Sequence, residues 1–247
     1  MSSPFVVWIA IAAFLISGLV KGVIGMGLPT VGIGLLSLAM TPAEAAVLLV
    51  VPTVVTNVWQ LAFGPGLRTL LQRLWPFLIA IIAVAFLSSG LLAADQSGRA
   101  TAWLGAALIL YAVLGLCAVR MIVPLHTEPW LGPLAGAASG LVAGATGVFS
   151  IPGVIYLNGL GLDKDELIQA LGLTFTVAML ALAAGLWRDG MFHGAIIGGS
   201  ALALVPALLG MLFGQWIRQR ISAAVFRTCF FAGMLLLGAD LALRTLL

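Results

Sequence analysis

Eight long apolar runs, separated only by short polar segments, make up almost the whole chain. A helix needs about 20 apolar residues to cross the hydrocarbon core of a bilayer, and most of these runs reach that length. Charged residues make up only 8% of the 247 residues, against about 25% in soluble domains. The pattern therefore predicts an all-α polytopic membrane protein with short loops. The runs cover approximately residues 5–40, 45–63, 74–94, 101–123, 130–160, 167–187, 193–217 and 223–243.

Two of the runs are too long for one helix, and both contain a similar break. As a straight helix, residues 5–40 would measure about 54 Å, against a hydrocarbon core of about 30 Å. We therefore expect each half of the chain to open with a helix, a Gly/Pro break and a short second helix, followed by three spans. The breaks are Gly18-x-x-x-Gly22-x-x-Gly25-x-Gly27-x-Pro29 and Gly140-x-x-x-Gly144-x-x-Gly147, the second followed by Pro152.

The distribution of positive charge favours a hairpin at each break. If each opening stretch crossed the membrane once, five loop Lys or Arg residues would lie on each side. If each stretch forms a hairpin, seven lie on one side and three on the other, and excess positive charge marks the cytoplasmic side. Each half then crosses an odd number of times. We therefore expect two homologous halves, 1–124 and 130–247, that form inverted repeats within one membrane domain. The loops expected to be cytoplasmic are 64–73, 120–129, 161–166 and 216–222.

A broken helix inside a bilayer offers backbone groups to a ligand. The N-terminus of a helix carries free N–H groups and a partial positive charge, which suit a small oxyanion. Two broken helices, one in each half, are typical of the binding site of a secondary transporter. We therefore predict an anion site at the breaks. Its residues are Gly25, Met26, Gly27, Pro29 and Thr30 in the first half and Thr146, Gly147, Ser150 and Pro152 in the second.

Polar residues inside the apolar runs extend this predicted site. Lys21 lies far from any clear loop, and a charge within a membrane segment is a functional candidate, although it could instead reach the interface from its helix end. A polar stripe (Thr53, Thr56, Asn57 and Gln60) shares one helix face because its members are three and four residues apart. The stripe could line a pathway or bond neighbouring helices. The predicted site also includes Lys21, Thr53, Asn57, Gln169 and Thr174.

Other kinds of chemistry have little support in the sequence. The two cysteines have no metal-ligand spacing, and no Ser/His pair or phosphate-binding loop is present. We therefore predict no cofactor, no metal site and no enzymatic activity, and the absence of a basic run argues against nucleic acid. Acidic residues inside the runs are scarce, which argues against a cation transporter. The competing class is a membrane-embedded enzyme or an accessory subunit that does not transport.

The two breaks resemble the motifs of the sulfite exporter TauE/SafE family of bacterial inner-membrane transporters. The stretch Ala170-x-Gly172-Leu173-Thr174 and the Leu/Gly-rich last helix are also similar, so the resemblance extends over about residues 10–243. It implies transport of small sulfur-containing anions, sulfite or organosulfonates, with small carboxylates as an alternative. It also implies duplicated halves, usually counted as four spans each. Alternating access is expected for the pair of breaks, and coupling to protons is compatible with it, although no residue stands out as the carrier.

Overall fold

The computed structural model of the chain describes residues 4–62, 64–94, 98–117, 122–149, 151–192, 194–220 and 222–244. Within these ranges every regular element is a helix. A short 3₁₀ turn at Leu125–Thr127 precedes the second half. The α-helices are α1 (Pro4–Ile24), α2 (Leu28–Leu36), α3 (Pro42–Ala62), α4 (Leu67–Ser88), α5 (Gly90–Ala93), α6 (Arg99–Leu116), α7 (Glu128–Thr146), α8 (Gly153–Gly159), α9 (Lys164–Arg188), α10 (Gly194–Arg218) and α11 (Ala223–Leu243).

Among the described residues, seven helical segments are long and apolar enough to cross a membrane. This confirms the predicted class, an all-α polytopic membrane protein. The Gly- and Ala-rich α7 has 19 residues and does not belong to this set. The seven segments are Phe5–Ile24, Pro42–Ala62, Leu67–Ala93, Arg99–Leu116, Lys164–Arg188, Ile196–Arg218 and Val225–Leu243.

Both overlong runs are interrupted where the Gly/Pro motifs lie. The first run forms α1 and α2, and the second forms α7 and α8. The short helices have nine and seven residues, which corresponds to about 13 and 10 Å, well under the thickness of the core. Each opening stretch is therefore a long helix, an irregular break and a short helix.

The start of α4 differs clearly from the sequence expectation. The loop expected at 64–73 is mostly helical, because α4 begins at Leu67 and carries both Arg68 and Arg73 on its first two turns. The buried residues Leu70 and Leu74 recur four apart on one face, so these turns are amphipathic and their charges do not end the helix.

Small residues bring the two halves into close contact along parallel helices. A Cβ on Gly18 of α1 would lie 2.1 Å from the Ala207 carbonyl oxygen of α10, and one on Gly22 would lie 2.2 Å from that of Met211. The contacts advance in the same direction along both helices, so α1 and α10 run parallel. The pair α4 and α7 is built in the same way: a Cβ on Gly136 would lie 2.3 Å from the Phe77 oxygen. Such contacts between small residues are the usual means by which membrane helices approach closely.

The helices α3 and α9 lie at the centre of the bundle. They pack against each other, and each also packs against a helix of the other half, α3 against α10 and α9 against α4. Gly172 of α9 lies beside the last turns of α3, where its Cβ would be 3.2 Å from the Gln60 side chain and 3.4 Å from the Asn57 carbonyl oxygen. This crossing places the polar stripe of α3 against α9 and beside the end of α1.

Candidate anion-binding site

The first break is held by two left-handed glycines and by the side chain of Gln60. Gly25 has a φ of 85° and Gly27 a φ of 100°, a region that other residues enter at a cost. The Gly25 N–H donates to the Lys21 carbonyl (2.7 Å) and ends α1, and the Gln60 Nε2 donates to the Gly25 carbonyl (2.6 Å). Pro29 lies in the first turn of α2, where its missing N–H is not needed. The end of α1 and the start of α2 therefore lie beside the last turn of α3.

Lys21 and Asn57 meet at the end of α1. The Lys21 Nζ donates a hydrogen bond to the Asn57 Oδ1, and both side chains are buried. Among the described residues, no Asp or Glu forms a salt bridge with Lys21. A buried ammonium without a counter-charge is unfavourable by several kcal/mol. A neutral amide compensates only part of this cost, so the position favours a bound anion.

A pocket of about 430 Å³ opens beside this pair. It lies among the ends of α1, α3 and α10 and the first turns of α9. Lys21 lies at its buried side, and Arg218 is an exposed cation at its rim. No acidic side chain lines the pocket within the described part of the chain, so its charge is positive. Its polar lining consists of Lys21, Thr56, Gln60, Gln215, Arg218 and Gln219.

Two polar side chains of α3, Asn57 and Thr53, each have a buried atom without a hydrogen-bond partner among the described residues. Asn57 is fully buried, and its Nδ2 has no hydrogen-bond partner among the described residues. The same holds for the Oγ1 of Thr53, one helical turn before Asn57. Thr174 of α9 is also buried with an unpaired Oγ1. Buried polar groups normally have partners, but none of these three side chains lines the pocket beside Lys21.

The other predicted residues of the first break are enclosed by protein. Pro29 and Thr30 are buried in α2, and Thr30 is fully so. Met26 is partly buried, and its sulfur lies 4.0 Å from the Tyr111 hydroxyl, which donates to it. None of the three lines the pocket beside Lys21.

The second break has the same backbone turn but a different environment. Gly147 has a φ of 74°, and its N–H donates to the Ala143 carbonyl (2.7 Å), as that of Gly25 does to Lys21. The Thr146 hydroxyl donates to the Val142 carbonyl (2.7 Å) and accepts from the Val148 N–H (3.1 Å). A Cβ on Gly147 would lie 2.5 Å from Ile33 of α2. This break is therefore packed against apolar side chains, and its hydroxyl is already bonded.

Pro152 and Gln169 of the second half do not line the pocket beside Lys21. Pro152 caps α8 rather than occupying its first turn, and Ser150 lies outside the described residues. Gln169 is fully buried and braces the turn between α3 and α4: its Nε2 donates to the Leu61 carbonyl (2.9 Å) and its Oε1 accepts from the Gly66 N–H (2.9 Å). Both ends of this amide are thus used within the protein.

Sequence reasoning left several pocket residues out of the predicted site. Thr56 and Gln60 belong to the polar stripe, so their spacing from Asn57 was the available signal. Arg218, the last residue of α10, and Gln219, directly after it, follow Gln215 by three and four residues, a spacing that places both beside Gln215. Their proximity to Lys21 depends on the packing of α10 along α1, which the sequence alone does not specify.

Comparison with known proteins gives a family but no individual relative. No curated protein and no solved structure matches the chain. The model of the family described as "Sulfite exporter TauE/SafE" matches residues 9–241, which include both breaks, Lys21 and the polar stripe. This family consists of transporters rather than enzymes. With the match spanning nearly all of a multi-helix membrane protein, the chain belongs to the sulfite exporter TauE/SafE family.

Proposed function

We propose that this protein is a secondary transporter that carries sulfite or organosulfonates across a bacterial inner membrane by alternating access. The main support for the proposal is Lys21. This residue is buried, has no carboxylate partner among the described residues and lines a positively charged pocket. Such a charge does not stabilise the fold, since unpaired buried charges are unfavourable. A transported anion is the counter-charge that would make the arrangement favourable.

The chemistry of the pocket suits an anion with several oxygens. A lysine ammonium has three N–H donors, and one of those of Lys21 bonds Asn57, so two are available. Arg218 offers a planar fork of donors at the rim, which matches oxyanions well. The amide side chains of Gln215 and Gln219 can donate to further oxygens. A sulfite or sulfonate group has three oxygens to accept these bonds.

We also propose that the two halves form inverted repeats. The support is reciprocal packing: α1 of the first half lies along α10 of the second, and α7 of the second half lies along α4 of the first. In any two repeats of this order α1 corresponds to α7 and α4 to α10, so the two contacts are equivalent. The inversion is supported by the equivalent helices α3 and α9, which run antiparallel: Gly172 lies beside Gln60, and Gln169 bonds the Gly66 N–H. Residues 1–124 and 130–247 would then be the two repeats of one membrane domain.

In this proposal the pocket faces the cytoplasm, and the opposite side is closed. Arg218 at the rim belongs to the positively charged stretch 216–222, which the charge bias assigns to the cytoplasm. At the other end of the bundle, a Cβ on Gly185 of α9 would lie 2.1 Å from the Ser89 hydroxyl, so α9 and α4 are in tight contact. Ser89 also donates to Asp189 (3.3 Å). Release on the far side would require this contact to open.

Flux into proteoliposomes tests the proposal. Labelled sulfite, organosulfonates and small carboxylates are offered to the purified protein, each with and without a pH gradient. We expect saturable sulfite or sulfonate flux and counterflow on preloading, and stimulation by the gradient if protons are coupled. Preference for carboxylates would select the alternative substrate class, flux without saturation would indicate a channel, and no flux of any anion would contradict the proposal.

A further inference from the structure

A second cavity, distinct from the pocket beside Lys21, lies in a groove between α4 and α7. Its volume is about 690 Å³. An ion pair between Arg73 and Glu128 occupies one end, and Ile79, Ala80 and Ala83 of α4 line its apolar length. Ala83 and Ile79 are exposed on the outer face of the bundle, so the groove is open toward the lipid.

The ion pair has a fixed geometry. The Arg73 Nη2 lies 2.6 Å from the Glu128 Oε1, and its Nε donates to the Oε2 (2.9 Å). The Nη2 also donates to the Leu160 carbonyl at the end of α8 (3.0 Å). A bidentate pair of this kind is directional as well as strong. The Nη1 donors of Arg73 and further lone pairs of Glu128 are left for a ligand, at a site with no net charge.

A proline in α7 adds a hydrogen-bond acceptor at the same end. Pro76 of α4 and Pro133 of α7 both line the groove. Because proline has no N–H, the helix cannot supply the usual donor to the carbonyl four residues earlier. These carbonyls belong to Gln72 and Pro129, and Pro129, next in sequence to Glu128, lines the groove whereas Gln72 does not. One end of the groove thus combines a guanidinium donor with a carboxylate and one carbonyl acceptor.

The dimensions of the groove correspond to one leaflet. Ala83 lies ten residues beyond Arg73 in α4, which is about 15 Å along the helix, or half of a core about 30 Å thick. Trp75, which lines the groove near the ion pair, is 59% exposed. Exposed tryptophans prefer the level of the lipid headgroups. The ion pair would therefore lie at headgroup level and the apolar part beside the acyl chains.

We propose that this groove binds one phospholipid whose zwitterionic headgroup ends in a primary ammonium, as in phosphatidylethanolamine. The phosphate accepts from Arg73, the ammonium donates to Glu128 and to the Pro129 carbonyl, and one acyl chain follows the groove to Ala83. A phosphatidylcholine headgroup has the same charges but no N–H to donate, and a phosphatidylglycerol headgroup has no cation for Glu128. The site therefore distinguishes lipids by headgroup.

Native mass spectrometry of the delipidated full-length protein tests this, with phosphatidylethanolamine, phosphatidylcholine and phosphatidylglycerol of identical chains added in turn. We expect phosphatidylethanolamine to bind at least about tenfold more tightly than either of the others, since each of those lacks the hydrogen bond from an ammonium to the charged Glu128. Glu128→Gln should abolish the preference. Equal binding of the three lipids, or a preference that survives in Glu128→Gln, would overturn the proposal.

Two further variants separate lipid binding from damage to the fold. Asp189→Asn removes the carboxylate of another arginine pair, that of Arg188, and should leave the headgroup preference unchanged. Ala83→Trp fills the exposed apolar end of the groove without altering the ion pair, and should weaken phosphatidylethanolamine at least about fivefold. If Ala83→Trp binds this lipid as the unmodified protein does, the groove is not the site.

Discussion

Lys21 and Asn57 are 36 residues apart in the chain, yet their side chains form a hydrogen bond inside the bundle. Both residues could be selected from the sequence, because each is a polar group in an otherwise apolar run. Their contact could not, since it depends on α1 ending at Gly25 just where α3 passes. Arg218 could not be selected from the sequence in this way. A charge near a loop gives no reason to expect that it lines the same pocket as Lys21.

Removal of the Lys21 charge should abolish most transport without unfolding the protein. Lys21→Met keeps an unbranched chain of similar length and removes a buried charge, so stability should be unchanged or higher. Loss of charged hydrogen bonds to the anion should lower kcat/KM for sulfite about 10- to 100-fold. The comparison uses flux per molecule of reconstituted protein, and the melting temperature serves as the control. Normal flux in Lys21→Met would show that the anion site lies elsewhere.

A carboxylate placed at Asn57 should compete with the substrate for Lys21. Asn57→Asp supplies a permanent counter-charge at the same geometry, so the anion must displace an internal ion pair. We expect KM to rise at least about tenfold, which is 1.4 kcal/mol of lost binding, while the fold is retained. Asn158→Asp is the matched control, because Asn158 is exposed on α8 and bonds its own helix at Val154. An unchanged KM in Asn57→Asp would exclude contact between Lys21 and the anion.

At the scale of the elements, the two breaks were the most predictable feature and the helix starts the least. Glycine and proline interrupt α1 and α7 because the backbone turns there require them, as the left-handed Gly25 and Gly147 illustrate. The start of α4 at Leu67 was not predicted, because arginines on an amphipathic first turn resemble a loop. The chemical difference between the breaks was not predicted either. Similar motifs lie beside a polar pocket in one half and against apolar side chains in the other.

The close contact of α1 with α10 should depend on Gly18. In Gly18→Ala the new Cβ would lie 2.1 Å from the Ala207 carbonyl oxygen, so the helices must separate. Overpacking of this kind costs about 1–3 kcal/mol, and we expect a lower melting temperature in detergent. Gly233→Ala is the control, since Gly233 lies within α11 with no atom within 4 Å of the added Cβ. That change should be neutral or stabilising by up to about 1 kcal/mol, and equal effects of the two variants would contradict the close packing of α1 on α10.

For the whole molecule, the sequence predicted a polytopic helical protein because membrane spans are marked by composition alone. The packing of the two halves against each other could not be predicted from the sequence. The contact of α1 with α10 and of α7 with α4 is set by small residues on particular helix faces, and glycine is abundant throughout the chain, with 30 residues. Charge bias could still favour hairpins at the breaks, since it depends only on which loops share a side.

The proposed topology and a simple eight-span arrangement differ in whether two positions lie on the same side of the membrane. With hairpins at both breaks, residues 66 and 164 lie on the same side; with single crossings they lie on opposite sides. The bond from the Gly66 N–H to Gln169, near the start of α9, supports the first arrangement.

After replacement of Cys117 and Cys229 by serine, Gly66→Cys, Lys164→Cys and Gly194→Cys are tested singly in cells with a membrane-impermeant thiol reagent. Gly66 and Gly194 both have open space for a side chain, and Lys164 is exposed. We expect positions 66 and 164 to react only after the cytoplasmic face is made accessible and position 194 to react in intact cells, whereas labelling of 66 and 164 from opposite faces would exclude the inverted repeat.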